Sequence, residues 1–453
     1  MTLEAAVTAA IAYADDCEVW VSGTVPGMAT VREYTGTVPM TLAVRGGFAG
    51  DERAIGERIA GARSVVDGGG TNAYCLAVKC GSSSVGTATT VESLEIKGAT
   101  AHGFFRDVNN WRTAGNLTVS NCVFSGCPNG ARLLGRYVQD YSGTNPDAAL
   151  VLRDCTFKDC NVTGDYGALY MSGFGEAIVE NCRFLNNKST SNRNNAYGVA
   201  LYVKGMPVEV VNCEFRGNVA ADQKGEIAYL NGICGGTGFR HCTFVGNTLS
   251  STGSKVSTLG GCVVAELDAV ASDVAVENCT FAYNLVNCSA SAAGLTVYRG
   301  AATVRNSIFW GNVAYMADDR PNVAADLWTG ASASAAVDYT LFASKDMPYV
   351  KAMSPGAITF GPSVYEGDPG LVTSTNEFLQ AVSVSTYPAV KSQTRIKTTF
   401  DRASLNVHLR GRWTDETTGE PCKTRRDRSK AIDMGDPASA WANEPEPNGG
   451  RVN

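Results

Sequence analysis

Asn181-Cys182-Arg183-Phe184-Leu185-Asn186-Asn187 is one copy of a phrase, Asn-Cys-x-Phe-x-x-Asn, that recurs about every thirty residues along the middle of the chain. Seven copies, some with substitutions, begin at Asn121, Asp154, Asn181, Asn212, His241, Asn278 and Asn306. Five of the seven end in Asn three residues after the Phe. A fixed period of this length predicts a repeat architecture in which each copy builds one structural unit.

A second recurring element lies between these phrases, a small-residue turn followed by a few β-prone residues. Its copies are Tyr166-Gly167-Ala168-Leu169-Tyr170, Tyr197-Gly198-Val199-Ala200-Leu201-Tyr202, Gly225-Glu226-Ile227-Ala228-Tyr229-Leu230, Gly260-Gly261-Cys262-Val263-Val264 and Ala293-Gly294-Leu295-Thr296-Val297-Tyr298. Each repeat therefore consists of two or three short strands. One repeat cannot bury its apolar side alone, so we expect successive repeats to stack, each strand pairing in parallel with its counterpart at roughly 4.8 Å. The sequence predicts an all-β fold, a right-handed parallel β-helix.

The chain divides into three predicted segments. Residues 1–16 read as a short capping helix opened by Thr2, and residues 17–390 as the β-helix, with the clearest repeats between 115 and 315. Val337-Asp338-Tyr339-Thr340-Leu341-Phe342 reads as an eroded eighth copy. Residues 391–453 are predicted to be an irregular C-terminal tail or capping segment, because a solenoid needs its open end covered.

The first Asn of each phrase is predicted to be a corner residue. Asn tolerates the left-handed backbone conformation of a sharp turn between two strands. Its side-chain amide can donate and accept along the stacking direction and so satisfy polar groups that burial would leave unpaired. The predicted corner ladder consists of Asn121, Asn181, Asn212, Asn278 and Asn306.

The cysteines fall at one equivalent position of successive repeats. Cys122, Cys155, Cys182, Cys213, Cys242 and Cys279 are therefore expected to form an internal ladder of small apolar side chains. Cys127 and Cys160 both replace the Asn that ends the phrase, and they are the pair for which a disulfide stays open. No Cys-x-x-Cys pair occurs and the three histidines lie far apart in sequence, so we expect no metal site.

Charge and composition bound the function. The net charge of −6 argues against a nucleic-acid or anionic-lipid partner, and no apolar run is long enough to span a membrane. Residues 1–16 lack the features of a signal peptide, from which we expect the chain to be a trimmed piece of a longer secreted precursor. The residue before each corner alternates in sign between several neighbouring repeats, as in Arg153 and Glu180 or Arg240 and Glu277, which favours one register of stacking.

The Phe-x-x-Asn phrase with a glycine-led small-apolar tetrapeptide resembles the repeats of the polymorphic outer-membrane-protein family, bacterial surface β-helices of the pectin-lyase-like superfamily. Residues 43–52 and the stretch from Ala431 to Arg451 are similar to the opening and closing phrases of large secreted bacterial β-helix proteins. The resemblance implies a secreted or surface-displayed protein that acts as an adhesin. As a hypothesis, the partner is a polysaccharide or a host- or cell-surface glycan, bound by the tyrosines described below.

A polysaccharide lyase or glycoside hydrolase is the alternative, because parallel β-helices of this superfamily commonly cut acidic polysaccharides in a polar groove. The sequence assigns no catalytic residue. Short strings similar to hydrolase signatures are Ala101-His102-Gly103, Asp318-Asp319 and Arg395-Ile396-Lys397, and candidate acids for a lyase are Asp165, Glu176 and Glu226. We expect no cofactor for a binding module, whereas a lyase would use Ca²⁺.

Tyrosines recur beside the small-residue elements and supply the remaining functional hypothesis. Rings on one outer face of a solenoid can stack on sugar rings, whereas rings on the opposite face fill the core. The predicted ligand-binding residues are Tyr166, Tyr170, Tyr202 and Tyr229.

Overall fold

The computed structural model describes residues 1–371, except 37, 82–86, 109–114, 137–144, 164–165, 190–196, 221–224, 233–235, 251–259, 268–272, 288–290, 317–322, 347 and 356, and then residues 373, 389–391, 405, 407 and 434–436. The chain forms two compact units, residues 1–213 with 228–236, and residues 214–227 with 237–453. Each unit is a stack of coils with up to four strands per coil. We name the strands A to D in chain order: A precedes the corner residue, B follows it and carries the Phe where the phrase is present, C follows the phrase, and D carries the small-residue element in the clearest repeats.

The first unit opens with an α-helix, Leu3–Tyr13, and includes a 3₁₀ turn, Ile55–Glu57. Its A strands are Cys17–Ser22, Met40–Phe48, Thr87–Glu92, Leu117–Ser120, Asn145–Arg153, Phe174–Glu180 and Glu209–Val211. Its B strands are Thr24–Pro26, Ser64–Asp67, Leu94–Lys97, Val123–Ser125, Thr156–Lys158 and Arg183–Leu185, and its C strands are Asn161–Val162 and Lys188–Ser189. Its D strands are Arg32–Tyr34, Tyr74–Cys80, His102–Val108, Asn129–Leu134, Leu169–Ser172, Leu201–Lys204 and Gly225–Gly232, the last of which contributes residues to both units.

The second unit repeats this plan. Its B strands are Glu214–Arg216, Thr243–Val245, Thr280–Ala282, Ile308–Trp310, Leu341–Phe342 and Tyr365–Glu366, and its C strands are Val219–Ala220, Thr248–Ser250, Leu285–Asn287, Val313–Met316 and Ala389–Lys391. Its A strands are Thr237–Arg240, Asp273–Glu277 and Ile358–Phe360, and its D strands are Gly260–Leu267, Ser291–Ala292, Val323–Ala324 and Val350–Ala352. Two long strands, Leu295–Arg305 and Leu327–Asp338, serve as D and then A.

Strands of the same kind pair in parallel from coil to coil, which is the predicted β-helical arrangement. Within each unit, the Phe rings of successive B strands that carry one stack inside the coil, with centroids 4.5 to 5.2 Å apart. The predicted eighth copy is present, since Phe342 stacks on Phe309 at 5.0 Å. An earlier coil has no recognisable phrase in sequence, yet Ser93 takes the corner conformation and Ile96 pairs with Phe124.

The N-terminal helix covers the first coil. The Thr2 hydroxyl accepts a hydrogen bond from the Ala5 N–H at 3.2 Å, and Leu3, Val7 and Ala10 are buried. Glu4 anchors the helix, because its carboxylate accepts from the Thr30 hydroxyl at 2.6 Å and pairs with Arg32 at 2.5 Å. Among the residues that the structure describes, no helix is long and apolar enough to cross a bilayer.

The corner residues have left-handed backbone conformation. The five asparagines of the predicted corner ladder have φ between 50° and 55°, as do Asp154 and His241 in the same position. Their side chains bond from coil to coil, for example Asn181 Nδ2 to Asp154 Oδ1 at 3.3 Å and Asn121 Nδ2 to Ser93 Oγ at 3.0 Å. These amides lie at the surface or half-buried, except in Asn306, so they satisfy few buried polar groups.

The buried amide ladder lies instead at the Asn that ends the phrase. Asn187, Asn218, Asn247, Asn284 and Asn312 are fully buried. Asn247 is typical, since its Nδ2 donates to Phe215 O at 2.9 Å and to Asn284 Oδ1 at 3.0 Å, while its Oδ1 accepts from the Asn218 N–H. In the second unit the ladder ends at Asp326, whose Oδ1 accepts from Asn312 Nδ2 at 2.9 Å. Buried polar groups, which the corner residues were expected to satisfy, are therefore satisfied by the Asn that ends each phrase.

The cysteine ladder is a packing feature. All six members are at most 2 % exposed, and each thiol donates to the carbonyl two residues earlier. Burial raises the pKa of Cys122 and Cys155, which keeps these thiols protonated and unreactive. Cys127 and Cys160 are free thiols in the structure, and a hydrogen bond from Cys75 lowers the pKa of Cys127.

Glycines in two D strands, His102–Val108 and Asn129–Leu134, permit close approach of neighbouring coils. A Cβ on Gly130 would lie 2.7 Å from the Ala168 carbonyl oxygen and 2.8 Å from the Phe157 ring, and a Cβ on Gly103 would lie 2.5 Å from the Gly130 carbonyl oxygen. A Cβ closer than 3.0 Å to a backbone atom of the next coil would force that backbone to move. These positions therefore require glycine for space rather than for its backbone freedom.

Candidate functional site

The D strands of the first unit align one column of side chains in register. Phe105 pairs with Arg132, Arg132 with Tyr170, and the column continues to Tyr202 and Tyr229. The residues before and after Tyr170, Leu169 and Met171, belong to fully buried columns, so strand alternation places the Phe105–Tyr229 column on the opposite, outer side of the sheet.

Further aromatic side chains extend this column. Tyr166 packs on Tyr170 with centroids 4.5 Å apart, and Tyr197 packs on Tyr202 at 5.3 Å. At the other end Tyr74 stacks on His102 at 6.1 Å, and His102 lies 5.1 Å from Phe105. We call this set the aromatic band, which comprises Tyr74, His102, Phe105, Arg132, Tyr166, Tyr170, Tyr197, Tyr202 and Tyr229.

Burial divides the tyrosines that sequence singled out as ligand-binding. Tyr170 and Tyr202 are each 6 % exposed and Tyr229 is 2 % exposed, because neighbouring rings cover them, whereas Tyr166 is half-buried. Three of the four therefore form a buried layer and present little surface to a ligand. The rings that a ligand can reach are the half-buried ones, at Tyr74, Phe105, Tyr166 and Tyr197.

An ion pair lies within the band. Arg132 Nη1 is 3.2 Å from Asp107 Oδ2, with side chains 14 % and 20 % exposed. The guanidinium carbon is 5.0 Å from the Phe105 centroid and 5.1 Å from that of Tyr166, so the two rings flank the cation. Arg132 Nε has no hydrogen-bond partner among the described residues. The arrangement places hydrogen-bond donors and acceptors between two aromatic surfaces.

His102 is held neutral beside this pair. Burial lowers the pKa of His102 to about 4, and the positive charge of Arg132 acts in the same direction. At neutral pH the imidazole therefore has one donor and one acceptor nitrogen. Its Nδ1 is buried and has no hydrogen-bond partner among the described residues.

Sequence reasoning missed Tyr74, Phe105 and Arg132 as members of the band. The interval between the glycine and the outward residue varies, with Arg132 two residues after Gly130 and Tyr170 three residues after Gly167. Alignment by the glycine alone therefore puts Arg132 out of register with Tyr170. The available signal was Arg132, which is the one charged residue of the strand Asn129–Leu134.

Two of the acids considered for an enzyme lie among the described residues. Glu176 is exposed on an A strand of the first unit, and Glu226 is buried in the second. Asp165, Asp318-Asp319 and Arg395-Ile396-Lys397 lie outside the described residues. In the part of the chain that the structure describes, no three His, Cys, Asp or Glu side chains are grouped so that they could hold a metal ion.

Comparison with known families identifies the fold. A family model described as a right handed beta helix region matches residues 70–249 and again residues 153–338, which together make up more than half of the chain. A search of curated proteins found no match. The repeated phrase, the parallel pairing from coil to coil and this match lead to one conclusion: the chain belongs to the right-handed β-helix family.

Proposed function

We propose that this chain is a non-enzymatic binding module for a polysaccharide or a host- or cell-surface glycan, secreted or displayed on a bacterial surface. The observation that carries the proposal is the aromatic band of the first unit. Its half-buried rings at Tyr74, Phe105, Tyr166 and Tyr197 offer flat apolar surface, and the Arg132–Asp107 pair offers polar groups between the rings. A stacking ring beside convergent polar side chains is suited to the apolar face and the hydroxyl edge of a sugar.

The band favours an extended ligand. The rings that a ligand can reach run from Tyr74 to Tyr197, along the five successive D strands from Tyr74–Cys80 to Leu201–Lys204, which at the spacing of paired strands is roughly 19 Å. That length accommodates several sugar units of a chain lying parallel to the stacking direction. Export and surface display are supported by the resemblance of the repeats and flanking phrases to bacterial surface β-helices.

Binding can be tested with a panel of neutral and acidic polysaccharides, by affinity electrophoresis followed by calorimetry on any hit. We expect Phe105→Ala and Tyr166→Ala each to weaken binding about two- to tenfold, because each removes one stacking surface. Tyr13→Ala is the matched control, since Tyr13 is an exposed aromatic residue, 72 % accessible, on the N-terminal helix. Absence of binding across the panel, or equal affinity of the two band variants and wild type, would reject the proposal.

Cleavage of an acidic polysaccharide is the second candidate, and one observation favours it. His102 beside Arg132 combines a proton acceptor, weak because its pKa is about 4, with a cation that could neutralise the carboxylate of a uronic acid. The same panel, with and without Ca²⁺, should then release unsaturated products or new reducing ends, and His102→Gln should abolish the release. Binding without release supports the module.

A further inference from the structure

The ion pair of the aromatic band lies between two of the rings that a ligand can reach. The Arg132 guanidinium carbon is 5.0 Å from the Phe105 centroid and 5.1 Å from the Tyr166 centroid. Asp107 Oδ2 is 3.2 Å from Arg132 Nη1, and both side chains are partly exposed. A ligand that stacks on either ring therefore lies close to both charges.

Asp107 is held in place by its own strand, His102–Val108. It follows Phe105 by two residues, so strand alternation puts both side chains on the outer side of the sheet. Its Oδ1 accepts a hydrogen bond from the Val108 N–H at 2.9 Å, and its Oδ2 faces Arg132. One carboxylate oxygen is thus bound to backbone and the other to the cation, which fixes the pair in one arrangement.

The charges around this pair balance. Strand pairing places Lys79 beside Asp107 and Glu33 beside Lys79, so charges of alternating sign continue outward from the pair. Lys204 is the next cation in the other direction, two D strands beyond Arg132, which is roughly 10 Å at the spacing of paired strands. Salt screens exposed charges beyond about 8 Å at physiological ionic strength. Among the described residues, the site between the two rings therefore carries no net charge.

From this arrangement we infer that Asp107 makes the aromatic band specific for uncharged sugars, by neutralising Arg132 between the two rings. An acidic sugar would bring its carboxylate to a cation that already has an anionic partner, and the Asp107 carboxylate would repel it. An uncharged sugar stacks on the rings and leaves the ion pair intact. The inference rests on the proposed function, because it names the class of glycan that the band binds.

Calorimetric titration with matched ligands tests this specificity. Linear oligomers of glucose, mannose and galactose are each compared with the uronate oligomer made by oxidising their primary hydroxyls to carboxylates. We expect wild type to bind a neutral oligomer about tenfold more tightly than its uronate form, because like charges oppose the second complex.

Two substitutions should move the ratio of these affinities in opposite directions. Asp107→Asn keeps the acceptor for the Val108 N–H but frees the Arg132 cation. The ratio should then shift about tenfold toward the uronate form, as for gain of a hydrogen bond to a charged group. Arg132→Gln leaves the Asp107 carboxylate without its cation, so the preference for the neutral oligomer should widen. The ratio does not depend on the fraction of folded protein, so a destabilised variant still reports it.

Glu180→Gln is the matched control, because it also removes one negative charge from an ion pair of the first unit, that with Arg153 on the A strands. It should leave the ratio unchanged. Equal or tighter binding of the uronate form by wild type, or a ratio that Asp107→Asn does not change, would overturn the inference and leave glycan binding in place. Binding of wild type to none of these oligomers and to no member of the polysaccharide panel would reject the proposed function together with the inference.

Discussion

At the scale of single residues, the two asparagines of each phrase have opposite roles. Asn181 is exposed and holds a left-handed corner with φ of 53°, so its backbone conformation matters more than its side chain. Asn247 is fully buried and its side chain bonds to three backbone or side-chain partners in neighbouring coils. The first is required for the turn and the second for satisfying buried backbone.

Substitution separates these roles. Asn247→Ala leaves the Phe215 carbonyl and the Asn218 N–H without their partner in a buried site, so we expect a loss of about 3 kcal/mol in the free energy of unfolding. Asn181→Gly, which keeps the corner conformation, should cost under about 1 kcal/mol. Urea unfolding followed by circular dichroism measures both. Equal losses of unfolding free energy in the two variants would mean that the buried amide ladder contributes no more to stability than the corner side chains do.

Asp326 gives the protein a predicted pH dependence. Burial raises the pKa of Asp326 to about 7, while Asn312 opposes the rise. The folded protein therefore holds the Asp326 proton more tightly than the unfolded chain does. The contribution of protonated Asp326 to the free energy of unfolding is complete below about pH 4 and is lost as the pH rises toward 7. Asp326→Asn should therefore be more stable than wild type at pH 8, with the gap narrowing toward pH 4.

Unfolding free energies of wild type and Asp326→Asn across this pH range provide the measurement. Asp273→Asn, at an exposed position on an A strand, should keep the pH dependence of wild type. A gap between wild type and Asp326→Asn that stays constant with pH would contradict the assignment.

At the scale of elements, the coils fit together through glycine, stacked rings and surface ion pairs. The alternating charges before the corners form ion pairs along the stack, Arg153 with Glu180 at 2.8 Å and Arg240 with Glu277 at 3.4 Å. Each is partly exposed and contributes on the order of 0 to 1 kcal/mol, so these pairs favour a register more than they add stability. Close approach at the glycines is the stronger constraint.

Gly130→Ala tests that constraint. The added Cβ would meet the Ala168 carbonyl oxygen and the Phe157 ring, both closer than 3.0 Å, so we expect a destabilisation of about 1 to 3 kcal/mol. Gly56→Ala is the control, because a Cβ there meets nothing within 4 Å. Thermal unfolding should show a lower midpoint for Gly130→Ala and an unchanged one for Gly56→Ala.

At the scale of the whole molecule, the period established the β-helix from sequence, since Phe and corner Asn repeat where the structure stacks them. The period could not show that Asn181 is exposed and Asn187 is buried, because burial depends on which strand follows each residue. It could not show that Tyr170 and Tyr202 are covered, because the covering rings come from turns of variable length. The contact of Asp436 with Asn306 spans about 130 residues and leaves no periodic signal.

Thiol labelling tests the chain as a whole. Of the twelve described cysteines, all free, only Cys17 is not buried. We expect the native protein to be alkylated rapidly at Cys17 and slowly at the other eleven, and every one of the twelve to react after denaturation without reductant. Peptide mass spectrometry locates the labels. Protection of Cys127 and Cys160 in the denatured, unreduced chain would instead indicate a disulfide between them.

The buried amide ladder has a direction. From Asn218 to Asn312 each Nδ2 donates to the Oδ1 of the following member, so the side-chain dipoles all point the same way and strengthen one another. A duplicated whole repeat inserted between two members would receive a bond from one side and give one to the other. The second unit could thus be lengthened by complete repeats without leaving a ladder amide without a partner. The ladder would still end at Asp326, whose carboxyl group accepts the last hydrogen bond.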